Sequence, residues 1–265
     1  MWKWETDGQA RAVAVIIHSA YEHHRRYAWL IENLRTSGIH VISGDLPGHG
    51  EESRHKRVHS EAFKSYETFV KQLMQAALTY NLPVFVVGHG LGAILGIHVV
   101  EKFKYECTGV ILTSPWMHLK HQPSKLSNAL TGLSKLTGNL KINHEINIKH
   151  LTRSYEFYKE EKDDIYYNDV ITVNWYRELH SFMKGISQQT VFPNIPILLM
   201  TGGNDKIADV AYSKKWLGQQ SLSEYQYKEW KSCYHDLFQE PEREDIYAYM
   251  ESFIFNTLKS VGYII

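Results

Sequence analysis

The chain predicts an α/β fold with a mostly parallel central sheet and helices on both faces. Three observations carry this. Short apolar, β-branched runs recur along its 265 residues, and helix-like segments separate them. That alternation is how a buried parallel sheet is written in sequence. The third observation is the stretch "VFVVGHGLGA" (Val84 to Ala93), in which a strand runs through alternate glycines into an apolar helix pattern.

The strand-like runs are Ala12 to His18, His40 to Leu46, Val84 to Gly88, Gly109 to Ser114, Ile195 to Gly202 and Tyr225 to Trp230. The opening "WKWE" suits an added edge strand. Helical patterns lie between them. Tyr27 to Thr36 ends before Gly38; the next starts near Ser60, a candidate N-cap, and runs to about Leu78, ahead of Pro83. Leu91 to Phe103 follows the glycine turn, Val210 to Leu217 follows "GGNDKIAD", and the last begins after Pro241 and continues to about Leu258. From Trp116 to Phe192 the alternation breaks. This stretch is polar, shows no strand pattern and contains the helical "VNWYRELHSFMKGI". A structureless loop of roughly eighty residues is uncommon in a compact domain, so the break predicts an inserted helical lid. The division is a core of 1–115 and 193–265 with a cap of 116–192.

Composition narrows the class. Lys+Arg and Asp+Glu balance at 29 each, which gives neither nucleic acid nor an anionic membrane an electrostatic hold. Cys107 and Cys233 are too few for a disulfide framework. The opening "MWKWETDGQA" has no apolar signal-peptide core, and Ala12 to Ile17 is far too short to span a bilayer, so the expectation is a cytoplasmic protein. Fifteen histidines invite a search for metal ligands. His23, His24, His49, His55 and His59 have basic neighbours and no C-x-x-C or H-E-x-x-H pattern, so they read as solvated loop residues, with neither metal nor cofactor expected.

Two chemistries use a strand, a glycine turn and a helix. A dinucleotide turn, G-x-G-x-x-G/A, is met literally by Gly88, Gly90 and Ala93. It belongs after the first strand, with an acidic residue at the end of the next; here it follows the third clear strand, and the next ends "LTSPW". The other is a nucleophile elbow, G-x-S-x-G. Gly88 and Gly92 fill its flanking positions, His89 precedes its centre, and Gly90 stands where the serine belongs.

The rest of a triad is tested by chain order: nucleophile, acid, histidine. Asp205 follows the late strand Ile195 to Gly202, and His235, in "SCYHDLFQEPERE", follows the last. That joint placement makes Asp205 and His235 the candidate acid and base. Backbone N–H groups of Ala20, after the first strand, and Leu91, after the elbow centre, are the candidate oxyanion donors.

Five motifs in order, "HSAYEHHRRY" (from His18), "DLPGHGEES" (from Asp45), "GHGLGA" (from Gly88), "GGNDKIAD" and "YHDLFQEPERE", resemble HGxxEHxxRY, DxxGHGxS, GHSMGG, GxxDxxV and the histidine loop of the monoacylglycerol lipase and lysophospholipase-like branch of the α/β-hydrolase superfamily. The resemblance spans nearly the whole chain. It implies the α/β-hydrolase fold, a lid, hydrolysis of single-chain lipid esters or other small carboxylic esters, Asp205 orienting His235, and His235 as general base. The departures are Gly90 for the family serine, Ser19 for the glycine after the first histidine, and Ala93 for the second elbow glycine. Without a nucleophile at 90, hydrolysis is expected to be feeble, and Gly90→Ser to restore it. Ser19 reads as lying off the elbow, and Cys233 as pointing elsewhere. The competing reading is a non-catalytic binding protein on the same fold.

Overall fold

The computed structural model describes residues 1–51, 58–123, 138–161 and 163–263. Ser53 and His55 lie outside them, as does part of the stretch read as a lid. The elements in chain order are β1 (Trp2–Trp4), β2 (Ala12–Ile17), α1 (Ala28–Thr36), β3 (Ile39–Ser43), α2 (Phe63–Leu78), β4 (Val84–His89), α3 (Gly90–Phe103) and β5 (Gly109–Thr113). They continue with β6 (Lys141–Asn143), α4 (Ile148–Leu151), α5 (Tyr155–Glu161), β7 (Val170–Thr172), α6 (Val173–Ser187), β8 (Ile197–Gly202), α7 (Val210–Gly218), β9 (Tyr225–Trp230) and α8 (Arg243–Ser260).

The main sheet has the order β1-β3-β2-β4-β5-β8-β9. Only β1 runs antiparallel, on the edge against β3; every other pairing is parallel. Strand periodicity sorts the core. Val13, Val15, Ile17, Val86 and Leu112 face one side, packed with α2, α3 and residues of the segment after β5. Ala14, Ile16, Phe85, Val87 and Ile111 face the other, packed with α1 and α8. The central strands β2, β4 and β5 are thus apolar on both faces, which is why their runs read as continuous rather than alternating. Burying a side chain such as Phe85 contributes about 2–3 kcal/mol.

Two expectations need correction. The second helix starts at Phe63, not Ser60; its N-cap is Ala62, with no side-chain cap. The segment between β5 and β8 is not purely helical, because β6 and β7 pair antiparallel within it. Strands of three residues are too short to carry a visible alternation.

Candidate active site

The chemistry-bearing residues sit in the loops beyond the carboxyl ends of β2, β4, β5, β8 and β9, where open parallel sheets place their sites. Asp205 follows β8. Its Oδ1 accepts the backbone N–H groups of Ile207 (2.8 Å) and Ala208 (2.9 Å), and its Oδ2 lies 2.8 Å from His235 Nδ1. Both side chains are buried. The carboxylate is therefore fully satisfied without water, and it fixes the proton of His235 on Nδ1. Nε2 is left as an acceptor, and the Trp116 indole N–H donates to it at 3.0 Å. The His235 loop is held from below by Ser114, whose hydroxyl donates to the His235 carbonyl (2.8 Å).

A second polar layer lies behind this pair. His89 Nε2 is 2.9 Å from Asp236 Oδ1, and Arg26 donates to Asp236 Oδ2 at 2.8 Å. Burial disfavours the Asp236 carboxylate, yet Arg26 and His89 outweigh it and hold its pKa below the usual value. Burial likewise opposes a charged His89, and the bond to Asp236 overrides it and raises that pKa. Glu22 completes the layer by accepting from the Ser19 N–H (2.5 Å) and the Tyr27 hydroxyl (2.6 Å).

The elbow is built as its spacing predicts. A methyl carbon on Gly92 would lie 2.1 Å from the Ile17 carbonyl oxygen, so α3 packs against β2 only through a bare Cα. Gly90 adopts φ +51°, the left-handed conformation that glycine tolerates best. Its side-chain space is not empty. A Cβ at Gly90 would sit 2.1 Å from Ser19 Oγ and 3.0 Å from Trp116 Nε1. Ser19 is thus not off the elbow, as its sequence position suggested, but directly over it. Of the two candidate oxyanion donors, the Leu91 N–H points at Ser19 Oγ (3.1 Å), while the Ala20 N–H has no acceptor among the described residues.

Several other side chains depart from their sequence reading. His23, His24, His49 and His59 are buried rather than solvated. His24 bonds Asp45 and stacks on Trp2; His49 packs 4.4 Å from His59 and 5.3 Å from His18, ring centre to ring centre. Aromatic rings pack around His24, His49 and His59 and cover them from bulk solvent. His89, His235 and Asp236 bring ligand atoms close enough to hold a metal ion, but those atoms already bond one another, Asp205 or Trp116. Cys233 is buried with its sulfur toward Glu242, and burial, assisted by Glu240, pushes its thiol up to about 12. Its surroundings thus disfavour the thiolate form.

These elements are those of a known family. The serine aminopeptidase S33 family, Hydrolase_4, matches residues 8–242. The chain belongs to this family of α/β hydrolases. It is 38% identical over 256 residues to Phospholipase YtpA of Bacillus subtilis, covering 96% of this chain and 98% of that protein. Identity to the Monoacylglycerol lipase of Mycolicibacterium smegmatis is 23% over 261 residues, covering 96% and 92%. The crystal structure of Paleococcus ferrophilus monoacylglycerol lipase superposes with a TM-score of 0.82 at 22% identity, over 97% of this chain and 98% of that one, which shows the shared fold. Among the described residues, no helix is long and apolar enough to cross a membrane.

Sequence reasoning named Asp205, His235, Leu91 and the elbow glycines, and the structure brings all of them together around Gly90. It missed the work of Glu22, Arg26, Trp116 and Asp236. Arg26 and Asp236 are 210 positions apart in sequence, so no local signal links them.

Proposed function

We propose that this family member hydrolyses carboxylic esters of single-chain lipids or small alcohols, with His235 as general base and Asp205 orienting it. The observation that carries this is the buried Asp205–His235 pair, with the proton fixed on Nδ1 and Nε2 left as acceptor beside the elbow. In that tautomer His235 accepts a proton from an attacking hydroxyl or water and returns it to the leaving alcohol. The unengaged Ala20 N–H, together with the Leu91 N–H, suits an oxyanion developing above Gly90. The phospholipase and monoacylglycerol lipase names of the relatives support a lipid ester as substrate. Residue 90 itself contributes no nucleophile.

Residues 116–192 act as the cap. Trp116, Ile146 and Tyr167 close a cavity of about 10 Å³ that Ser19, Ala20 and His235 line from beneath. An acyl chain therefore enters only when cap residues move aside. Two free thiols fit a cytoplasmic setting.

The closed cavity and the indole on His235 Nε2 also favour a second reading, a non-catalytic binder. The two part in an assay on p-nitrophenyl butyrate, a monoacylglycerol and a lysophosphatidylcholine, run beside His235→Ala. A serine restored at 90 needs room, because its Cβ would meet Ser19 Oγ at 2.1 Å. The informative restored enzyme is therefore the double variant Ser19→Gly/Gly90→Ser, not Gly90→Ser alone. Turnover that disappears in His235→Ala is the expected result. An inert native chain and an inert double variant, both folded, would leave the binder.

A further inference from the structure

We propose that Ser19 supplies the nucleophile that Gly90 lacks, an inference that rests on the ester-hydrolase reading above. Sheet register is the starting point. β2 and β4 are parallel neighbours, and Ile17 stands opposite Gly88. The residues two beyond each are Ser19 and Gly90, so the two strand ends bring positions 19 and 90 face to face. The family motifs that this chain resembles, HGxxEHxxRY and GHSMGG, have glycine at the first position and serine at the second; this chain has them exchanged. The exchange keeps one hydroxyl in one place, because Ser19 Oγ lies 2.1 Å from where a Gly90 Cβ would be.

Three further observations fit a nucleophile better than a space filler. The Ser19 backbone is tied at both ends, its N–H to Glu22 (2.5 Å) and its carbonyl to His18 Nδ1 (2.6 Å), which aims the hydroxyl at the elbow. The Leu91 N–H, at the N-terminus of α3, donates to Ser19 Oγ at 3.1 Å, so a developing alkoxide has a donor in place. Ser19 and His235 line the same small cavity, with the Trp116 indole between Nε2 and the elbow. Chain order is unchanged as well: Ser19, Asp205, His235.

The reaction balances without a co-reactant other than water. When the indole leaves Nε2, Ser19 Oγ attacks the ester carbonyl carbon and its proton passes to His235 Nε2. The tetrahedral intermediate expels the alcohol, which takes that proton, and leaves Ser19 acylated. Water then attacks the acyl carbon, gives its proton to His235, and the carboxylic acid departs as Ser19 regains its proton. The indole hydrogen bond makes Trp116 a gate, opened by whatever moves the cap.

The test is phosphonylation by a fluorophosphonate ester of the native chain, with the adduct located by tryptic peptide fragmentation, beside hydrolysis of p-nitrophenyl butyrate. The expected result is one adduct at Ser19 in the peptide Ala12 to Arg25, and hydrolysis lower by at least about 100-fold in Ser19→Ala and His235→Ala. In Ser19→Gly/Gly90→Ser the adduct moves to the peptide Gln72 to Lys102. Locating the adduct on the native chain keeps the test decisive even where a variant folds poorly. Native turnover that survives Ser19→Ala but not His235→Ala overturns Ser19 and leaves the hydrolase reading standing. So does an inert, unlabelled native chain beside an active double variant. If both are inert though folded, the hydrolase reading fails and Ser19 fails with it.

Discussion

The two sides of the site differ in how they are held. On the acid–base side, every polar side-chain atom of Asp205 and His235 has a buried partner, and the His89–Asp236–Arg26 layer locks the loop behind them. On the nucleophile side the elbow backbone is intact, but its centre is a bare glycine over which a serine and a tryptophan from two other loops converge. The first side leaves little freedom for substitution without loss of a buried hydrogen bond. The second is assembled from side chains that can rotate. On the reading proposed above, the nucleophile can therefore pass from one residue to another on that side, whereas the acid and the base cannot.

Asp205→Asn is expected to break the rigid side most severely. It removes the charge that fixes the His235 tautomer while Ile207 and Ala208 keep an acceptor. The expected fall in kcat/KM is about 10⁴-fold with an unchanged circular dichroism spectrum. A loss under tenfold would show that Asp205 does not orient the base.

The glycines sharpen the contrast through stability. Gly92→Ala drives a methyl into the Ile17 and His18 carbonyls at 2.1 and 2.4 Å, where only backbone can yield. A loss of about 3 kcal/mol or more is expected in urea unfolding. Gly90→Ala meets a rotatable hydroxyl at 2.1 Å and carries the left-handed φ penalty, so about 1–2 kcal/mol is expected. Equal losses would contradict a movable nucleophile side.

Acid titration gives the buried histidines opposite signs. Burial, with His18 nearby, lowers His49 to about 3, and burial lowers His144, stacked on Tyr21, to about 4. Both are neutral in the fold, so their stability is full above the unfolded value of about 6.5 and is lost as pH falls toward the folded values. Together they lower stability by roughly 2–3 kcal/mol between pH 7 and 5.5, with His18 and His59 shifted in the same direction by burial. His89, bonded to Asp236, has a raised pKa; its contribution is present at low pH and is lost as pH rises through that value. Urea midpoints that rise on acidification across this window would mean that the buried histidines are not neutral.

The smallest effect expected is at Trp116→Phe. Deleting the indole N–H frees His235 Nε2 of a single hydrogen bond, so fluorophosphonate labelling should be faster by roughly two- to tenfold. Slower labelling would make Trp116 a support of the site rather than its gate.

The sequence by itself determined the strands of the main sheet, most helices and the candidate acid and histidine. Those follow from signals within a few residues: apolar runs of strand length, glycines at the elbow, and an acid and a histidine each placed after a late strand. The short strands β6 and β7 and the burial of His49 and His59 carried no such signal, because length and tertiary cover decide them. Only the tertiary structure decided what stands at the centre of the site. Ser19 and Gly90 are 71 positions apart and look unrelated along the chain. The pairing of β2 with β4 sets Ile17 against Gly88 and so places one hydroxyl over the other's empty Cα. Sheet register is a contact between distant segments, and no local pattern records which strand end will lie beside which.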